Sequence, residues 1–266
     1  MATPIKTWAG KWALVTGASA GIGWALAEEL AAGGTNLVLT ARRAERLEKL
    51  ATELADKHKI QARVVVADLT KMQGADDIFA FTSNSKLTID LLVNNAGFGA
   101  FGYAHEIPAA TMAEMIQVNC TAVVQLTRLY LPQMVARRSG SILIVASLAG
   151  FQGVPFNSVY AATKGFDLLF AEGIAEEVRP SGVKVCALCP GPTTTEFQQV
   201  ANQPDRAFRV AETAEKVARV GLEALVKGKS FVVSGGMNRF MMEAERIAPR
   251  RFVTRMAANM MKPEKH

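Results

Sequence analysis

An α/β domain with a doubly wound parallel sheet of about seven strands, and helices on both faces, is the fold class this sequence predicts. Short β-branched runs alternate with longer stretches of helical period along the chain. The runs are apolar at consecutive positions, as strands covered on both faces must be. A glycine-rich turn follows directly on the first run.

The strand-like runs are Trp12–Thr16, Asn36–Thr40, Ala62–Ala67, Leu91–Asn94, Ser141–Ala146, Val183–Leu188 and Phe231–Ser234. Between them lie the amphipathic stretches Ile22–Ala32, Ala44–His58, Gly74–Thr82, Met112–Arg137, Val159–Val178 and Ala214–Val226. Right-handed crossovers turn that alternation into helices on both faces of one sheet. No repeat, linker or low-complexity segment interrupts it, so residues 1–266 read as a single domain, with 237–266 as a C-terminal helical tail. In the tail, Met241, Met242, Ile247, Phe252, Met256, Met260 and Met261 are spaced as one or two short helices would place them, with Pro249 between the halves. The polar segment Thr193–Arg209 follows the sixth run, where ligands bind in such sheets.

Composition excludes several classes. The chain has 266 residues, 50% hydrophobic and 20% charged, which leaves no sign of bulk disorder. The formal charge is +6, but the basic residues are scattered or in short pairs such as Arg137-Arg138, without the aromatic-studded stripe of a nucleic-acid surface. No apolar run nears the ~20 residues that span a bilayer. The opening Met-Ala-Thr-Pro reaches strand-like residues by Trp12, leaving no room for a signal peptide. Cys120, Cys186 and Cys189 cannot form a closed set of pairs, so a reducing, cytoplasmic setting is expected. Cys186-x-x-Cys189 lacks a second Cys or His pair and falls within a strand, which favours buried small residues over a metal or redox site. No metal is expected.

Thr16-Gly17-Ala18-Ser19-Ala20-Gly21-Ile22-Gly23 opens the first helix. Gly17 permits the tight turn, Gly21 lets backbone approach a pyrophosphate at the helix N-terminus, and Gly23 allows close helix–sheet packing. The spacing is looser than G-x-G-x-x-G, and an ordinary glycine turn is the bland alternative. Gly17-x-Ser19-x-Gly21 also satisfies the nucleophile elbow of α/β-hydrolases. That reading lacks an earlier strand for the oxyanion donors, and His58, His105 and His266 are poorly placed as a base.

Ser147 ends the fifth run, and Tyr160 and Lys164 lie four apart at the start of the next helix, one turn from each other. A nearby ammonium stabilises phenolate, so Lys164 is expected to draw the Tyr160 pKa down from the usual ~10. Tyr160 then serves as general acid or base for a carbonyl/alcohol pair, and the Ser147 hydroxyl holds the substrate oxygen. A lone Tyr-x-x-x-Lys is more often a snorkelling surface pair, and its meaning comes from the glycine turn.

These motifs together resemble the short-chain dehydrogenases/reductases from Lys11 to about Gly236: Thr16-Gly17-x-x-x-Gly21-Ile22-Gly23, Asp68, Asn94-Asn95-Ala96-Gly97, Asn119, Ser147, Tyr160-x-x-x-Lys164 and Pro190-Gly191, in family order. The resemblance implies a Rossmann-type fold, a nicotinamide cofactor and a catalytic set of Asn119, Ser147, Tyr160 and Lys164. In that set Tyr160 transfers the proton and Ser147 orients the substrate oxygen. Lys164 binds the nicotinamide ribose and tunes Tyr160, while Asn119 holds a water that links Lys164 to solvent. Around the cofactor it places Gly17, Ser19, Gly21, Ile22 and Gly23, then Asp68 and Leu69 at the adenine. Asn94, Asn95, Ala96 and Gly97 line the cofactor and brace the sheet, and Pro190, Gly191, Thr193 and Thr195 hold the nicotinamide end. Thr193 stands where the family usually has Val or Ile, with little consequence expected because that contact is mainly backbone. Homodimers or homotetramers through the two long helices flanking the fifth strand are also implied.

Cofactor choice turns on the end of the second strand, where NAD-specific folds carry an acid for the ribose 2′-hydroxyl. Here Leu39-Thr40-Ala41-Arg42-Arg43 has Ala41 in that place and two arginines after it. Guanidinium gives charge-assisted, bidentate bonds to a phosphate, so NADP(H) is preferred to NAD(H). Ala20, where some members carry a second basic residue, pulls slightly the other way. Cys189 adjoins Pro190-Gly191, so alkylation there is one route to blocking the cofactor.

The expected activity is interconversion of a ketone or aldehyde and its alcohol, on an apolar small molecule such as a steroid, lipid-derived or aromatic carbonyl. A catalytically silent nucleotide sensor is the alternative from another class; the intact Asn119, Ser147, Tyr160 and Lys164 weigh against it. The tail has three readings: a roof over the substrate pocket, a subunit contact, and a basic amphipathic segment making peripheral contact with an anionic membrane. The roof is favoured, because Met fills irregular apolar gaps.

Overall fold

The computed structural model describes residues 3–201 and 211–262. Residues 202–209 of the polar segment, and His266, lie outside the described residues. Among the described residues a seven-stranded, all-parallel sheet has the order β3-β2-β1-β4-β5-β6-β9. Its strands are β1 (Trp12–Thr16), β2 (Asn36–Ala41), β3 (Ala62–Val66), β4 (Ile89–Asn94), β5 (Ser141–Val145), β6 (Lys184–Cys189) and β9 (Phe231–Val233). A second, two-stranded sheet pairs β7 (Thr193–Thr194) with β8 (Glu212–Thr213). This small pairing was not expected from sequence; it fixes the start of the polar segment.

Alternate residues of each central strand feed opposite layers. Ala13, Val15, Leu37, Leu39, Leu91 and Val93 pack on one side with α1 (Gly21–Ala32), α2 (Ala44–His58) and α8 (Ala214–Val226). Leu14, Val38, Leu92, Ile142 and Ile144 pack on the other with α3 (Gly74–Asn84), α5 (Ala122–Ala136) and α6 (Ser158–Val178). Two buried faces explain why the strands read as continuous apolar runs. The chain leaves β1 towards β2 on one side and resumes at β4 on the other. The crevice at the carboxyl ends of β1 and β4 is therefore the topological switch point where such sheets bind ligands.

The long helix expected over Met112–Arg137 starts earlier and is not uniform. α4 (Ala109–Ile116) passes into a π-helical segment, Gln117–Thr121, before α5 resumes. There the N–H of Ala122 reaches back to the carbonyl of Gln117. The tail forms α9 (Gly236–Ile247) and α10 (Arg250–Met261), with Pro249 preceding the second. Met242, Val253 and Ala257 are its buried anchors. No described helix is long and apolar enough to cross a membrane.

Candidate active site

β1 delivers Thr16 to the switch point, where its buried hydroxyl staples two loops. It donates to the Val93 carbonyl (3.2 Å) and accepts from the N–H groups of Asn95 and Ala96 (2.9 Å each). Gly17 follows at φ +66°, and a Cβ there would lie 2.8 Å from Asn95 Nδ2 and 2.9 Å from Ala96 Cα. Only glycine fits that turn. Asn95 Nδ2 donates to the carbonyls of Thr16 (2.8 Å) and Gly17 (3.3 Å), so this side chain braces the turn. Ala20 precedes α1 without a side-chain cap, leaving the first N–H groups beside Gly21 and Ile22 directed at the cleft. A Cβ on Gly23 would collide with the Gly17 carbonyl and Asn95, which gives Gly23 a packing role behind the cleft wall.

The far end of the cleft is basic. Arg43 donates from Nε and Nη2 to the Ser19 hydroxyl (3.1 and 3.0 Å) and from Nη1 to Glu196 (2.8 Å). Arg46 holds the other oxygen of Glu196 at 2.6 Å. Ala41 and Arg42 line the same region, with no acid at the end of β2. Ser19 is thus bound by a guanidinium, and among the described residues no histidine partners it as the nucleophile-elbow alternative requires. Asp68 and Leu69 line the wall after β3. Burial pushes the Asp68 carboxyl up, but hydrogen bonds from the Thr70 N–H (3.0 Å) and hydroxyl (2.9 Å), helped by Arg42 and Lys71, hold it below its usual value.

Ser147 lies just past β5, capping the 3₁₀ turn Leu148–Phe151 by accepting from the Ala149 N–H (3.1 Å). Tyr160 and Lys164 share one face of α6, with Nζ 6.0 Å from the phenol ring centre. Lys164 Nζ donates to the Val145 carbonyl (2.7 Å) and to Asp167 (2.9 Å). The expectation that Lys164 draws the Tyr160 pKa down is corrected by the burial of the phenol. Although part of the side chain faces the cleft, removal of the phenol from bulk water pushes its pKa up. The Lys164 charge and a hydrogen bond with Ser147 act downward without prevailing, and the Asp167 charge adds to the rise.

Asn119 sits in the π-helical segment, fully buried. Its Oδ1 accepts from the Phe98 N–H (3.1 Å), and its Nδ2 donates to the Phe98 carbonyl and the Thr163 hydroxyl (3.0 Å each). The amide therefore ties the loop after β4 to α6. A Cβ on Gly97 would lie 3.1 Å from Asn119 Oδ1 and 3.4 Å from Lys164 Nζ, which keeps that loop tight against the site. Of the two roles expected for Asn94 it takes one: it is buried outside the cleft lining and donates to Thr127 (3.2 Å), bracing the sheet. Ala96 and Gly97 do line the cleft, as do Pro190, Gly191, Thr193 and Thr195. Thr193 turns its hydroxyl back to the Gly191 carbonyl (2.9 Å).

The glycine turn, the Arg42–Arg43 end, Asp68, Ser147, Tyr160, Lys164 and Pro190-Gly191 line one cleft of about 1460 Å³, while Asn119 lies outside its lining. Small-molecule sites run to roughly 300–1,000 Å³, so the space accommodates a dinucleotide and a second molecule together. The tail supplies part of its lining. Met237, Phe240, Phe252, Met256 and Met260 are 51–69% exposed, and every one of them lines the cleft. They share that lining with Ser147 and Tyr160.

Comparison with known proteins agrees with this geometry. The sequence profile of the short chain dehydrogenases matches residues 11–206. The chain belongs to the short-chain dehydrogenase/reductase family. It is 36% identical over 201 residues to a very-long-chain 3-oxoacyl-CoA reductase of Bos taurus, covering 74% of this chain and 64% of that protein. It is 34% identical over 240 residues to an uncharacterized oxidoreductase, YmfI, of Bacillus subtilis, covering 85% and 98%. A 7beta-hydroxysteroid dehydrogenase structure superposes with a TM-score of 0.87 at 28% identity, covering 96% and 99%. A short-chain dehydrogenase from Sphingobium yanoikuyae in complex with NADPH gives 0.82 at 27% identity, covering 96% of each chain. The chain thus spans less than two thirds of the bovine relative it matches.

Sequence reasoning missed Arg46, Asp167 and Glu196. Arg46–Glu196 joins residues 150 apart, which nothing local could announce.

Proposed function

We propose that this short-chain dehydrogenase is an NADP(H)-dependent reductase of bulky apolar ketones or aldehydes, with Tyr160 as the proton donor. One observation carries the reading: Tyr160 and Ser147 lie in a single cleft that is basic at the Arg42–Arg43 end and walled by tail Met and Phe side chains. The residues present fit the cofactor. Gly17 and Gly21 (φ +66° and +57°) keep the turn bare for a pyrophosphate, and Ser19 with Arg43 forms a donor set for a 2′-phosphate. Bound NADPH supplies the hydride.

The chain's own residues do the rest. The Ser147 hydroxyl orients the carbonyl oxygen, and Tyr160 gives that oxygen its phenolic proton as the carbon is reduced. Lys164, cationic beside the phenol, stabilises the phenolate left behind and addresses the ribose. Asn119 positions Lys164 through Thr163 and the Phe98 loop. The run in reverse, with phenolate as base, oxidises the alcohol. The likeness to a 3-oxoacyl-CoA reductase and to a 7beta-hydroxysteroid dehydrogenase supports a lipid-derived or steroid carbonyl. Exposed Phe166 and Leu169 on α6, with Val124 and Val135 on α5, support association through those helices into a homodimer or homotetramer. The cysteines are all free, in keeping with a reducing, cytoplasmic setting.

The test is a titration with NADPH and NADH, followed by an absorbance screen of ketones and aldehydes graded in size. Tight NADPH binding and consumption on bulky apolar carbonyls is the expected result. Tyr160→Phe should cut turnover by about 10²–10⁴-fold and spare cofactor binding. Binding without turnover on any carbonyl would move the reading to a nucleotide sensor.

A further inference from the structure

Three residues beyond Lys164 on α6, Asp167 is wholly buried, at 0% exposure, and its Oδ2 lies 2.9 Å from Lys164 Nζ. Lys164 itself is 5% exposed. The second Asp167 oxygen, Oδ1, is buried without a hydrogen-bond partner. A half-satisfied buried carboxylate is costly, and replacing such a pair by apolar residues is often neutral or stabilising. Packing alone gives no reason for an acid here. The roles assigned above to Asn119, Ser147, Tyr160 and Lys164 also leave Asp167 without one.

Its placement supplies a reason. Tyr160, Lys164 and Asp167 are spaced four and then three residues apart, so they form one stripe along α6. The Lys164 ammonium sits between two acceptors, Asp167 and the Val145 carbonyl, with the phenol ring centre 6.0 Å away. The other titratable groups close to Asp167 are thiols whose pKa burial pushes up: Cys120 of the π-helical segment, to about 11, and Cys189 at the end of β6. Glu172, further along α6, acts on Cys189. Asp167 is therefore placed as the counter-ion of Lys164.

We propose that Asp167 is a positioning residue that pins the Lys164 ammonium against the Val145 carbonyl and absorbs part of the positive charge Lys164 presents to Tyr160, keeping the phenol protonated as a donor. The proposal rests on the reading of Tyr160 as the proton-transferring group. Charge logic agrees. Burial acts to push the proton off Lys164, while Asp167, Tyr160 and Cys120 together act the other way and hold its pKa up, and the Asp167 charge itself adds to the rise at Tyr160. Burial raises the Asp167 carboxyl to about 6, against the pull of Lys164, so it is ionised above neutral pH. Asp167 biases the stripe towards carbonyl reduction, because reduction needs phenol and oxidation needs phenolate.

Asp167→Asn keeps the shape and removes the charge. Phenolate absorbance is titrated in cofactor-free protein above pH 7, each protein being read against its own Tyr160→Phe partner. The expected midpoint for Tyr160 in the Asn variant lies about one pH unit below wild type. The alkaline fall in kcat/KM for ketone reduction should move the same way. Asp167→Glu, which retains the charge, should return both towards wild type. An unchanged midpoint, an upward shift, or a Glu variant that behaves like the Asn variant overturns the proposal. If the Asn variant does not fold, Asp167→Ser is read by the same criteria. The absorbance titration needs no turnover, so a protein inert towards every carbonyl would sink the proposed function and still answer for Asp167.

Discussion

Arg43 clasps the hydroxyl of Ser19 through two nitrogens, Nε at 3.1 Å and Nη2 at 3.0 Å. A 2′-phosphate placed beside Ser19 would take up the same guanidinium. Arg43→Ala should therefore weaken NADPH binding by roughly ten- to a hundredfold, the worth of one charge-assisted hydrogen bond of about 1.5–3 kcal/mol. NADH, which has no 2′-phosphate, should bind almost as before. Ala41→Asp should act in the opposite sense, favouring NADH. Fluorescence titrations of both cofactors check this; equal losses for the two would mean that Arg43 does not read the phosphate.

Thr16 joins the loops after β1 and β4 with a single buried hydroxyl. Thr16→Val removes it and leaves the N–H groups of Asn95 and Ala96 without their acceptor. Each orphaned group costs about 1–3 kcal/mol. At about 2–4 °C per kcal/mol for a domain of this size, calorimetry should show a clear fall in Tm. Cofactor binding should weaken as well, because the Gly17 turn leans on Asn95.

The tail wall makes a size-dependent prediction. Phe240→Ser or Met256→Ser should lower kcat/KM for bulky apolar ketones by about tenfold or more, the equivalent of about 1.5–3 kcal/mol for one large apolar contact. Small ketones, which do not reach the tail, should be spared. Steady-state kinetics across a graded series decides it, and a uniform loss for all substrates would instead make the tail a folding element.

Thiol chemistry should be slow. Cys186 is wholly buried and burial pushes its thiol up to about 12, while Cys120 rises to about 11 and Cys189 higher still. The reactive thiolate is scarce until pH climbs through those raised values. Iodoacetamide at pH 8 should leave Cys186 and Cys189 unlabelled in the folded protein, as peptide mass analysis would show. Alkylation at Cys189 is accordingly a poor route to blocking the cofactor.

Much of the fold was legible because both strand faces are buried, which leaves a strong apolar signal. β1, α2 and α8 fall at the limits their periodicity predicts. β4 begins at Ile89, two residues before the expected Leu91, because Asp90 breaks the apolar run from inside a strand. Pro249 divided the tail correctly because proline acts locally. The site was readable where one motif carries it, as with Gly17 to Gly23 and Tyr160 with Lys164. It was unreadable where tertiary packing decides. Asp167 beside Lys164 looks like an ordinary surface pair on a helix, and only the burial of that stretch of α6 makes it an isolated ion pair. The direction of the Tyr160 shift failed for the same reason, since desolvation has no signature in residue spacing.

The π-helical segment at Gln117–Thr121 makes the length of its helix a matter of arithmetic. The ladder there holds one residue more than an α-helix requires. Deleting one residue there would restore regular α winding and leave the turns on either side in phase. Val123, Leu126, Tyr130 and Met134 would go on filling one layer of the core, while Asn119, inside the segment, would lose its aim at Phe98 and Thr163. The extra residue thus separates the aim of one amide from the packing of the helix that carries it, so a single-residue deletion here should cost activity before it costs stability.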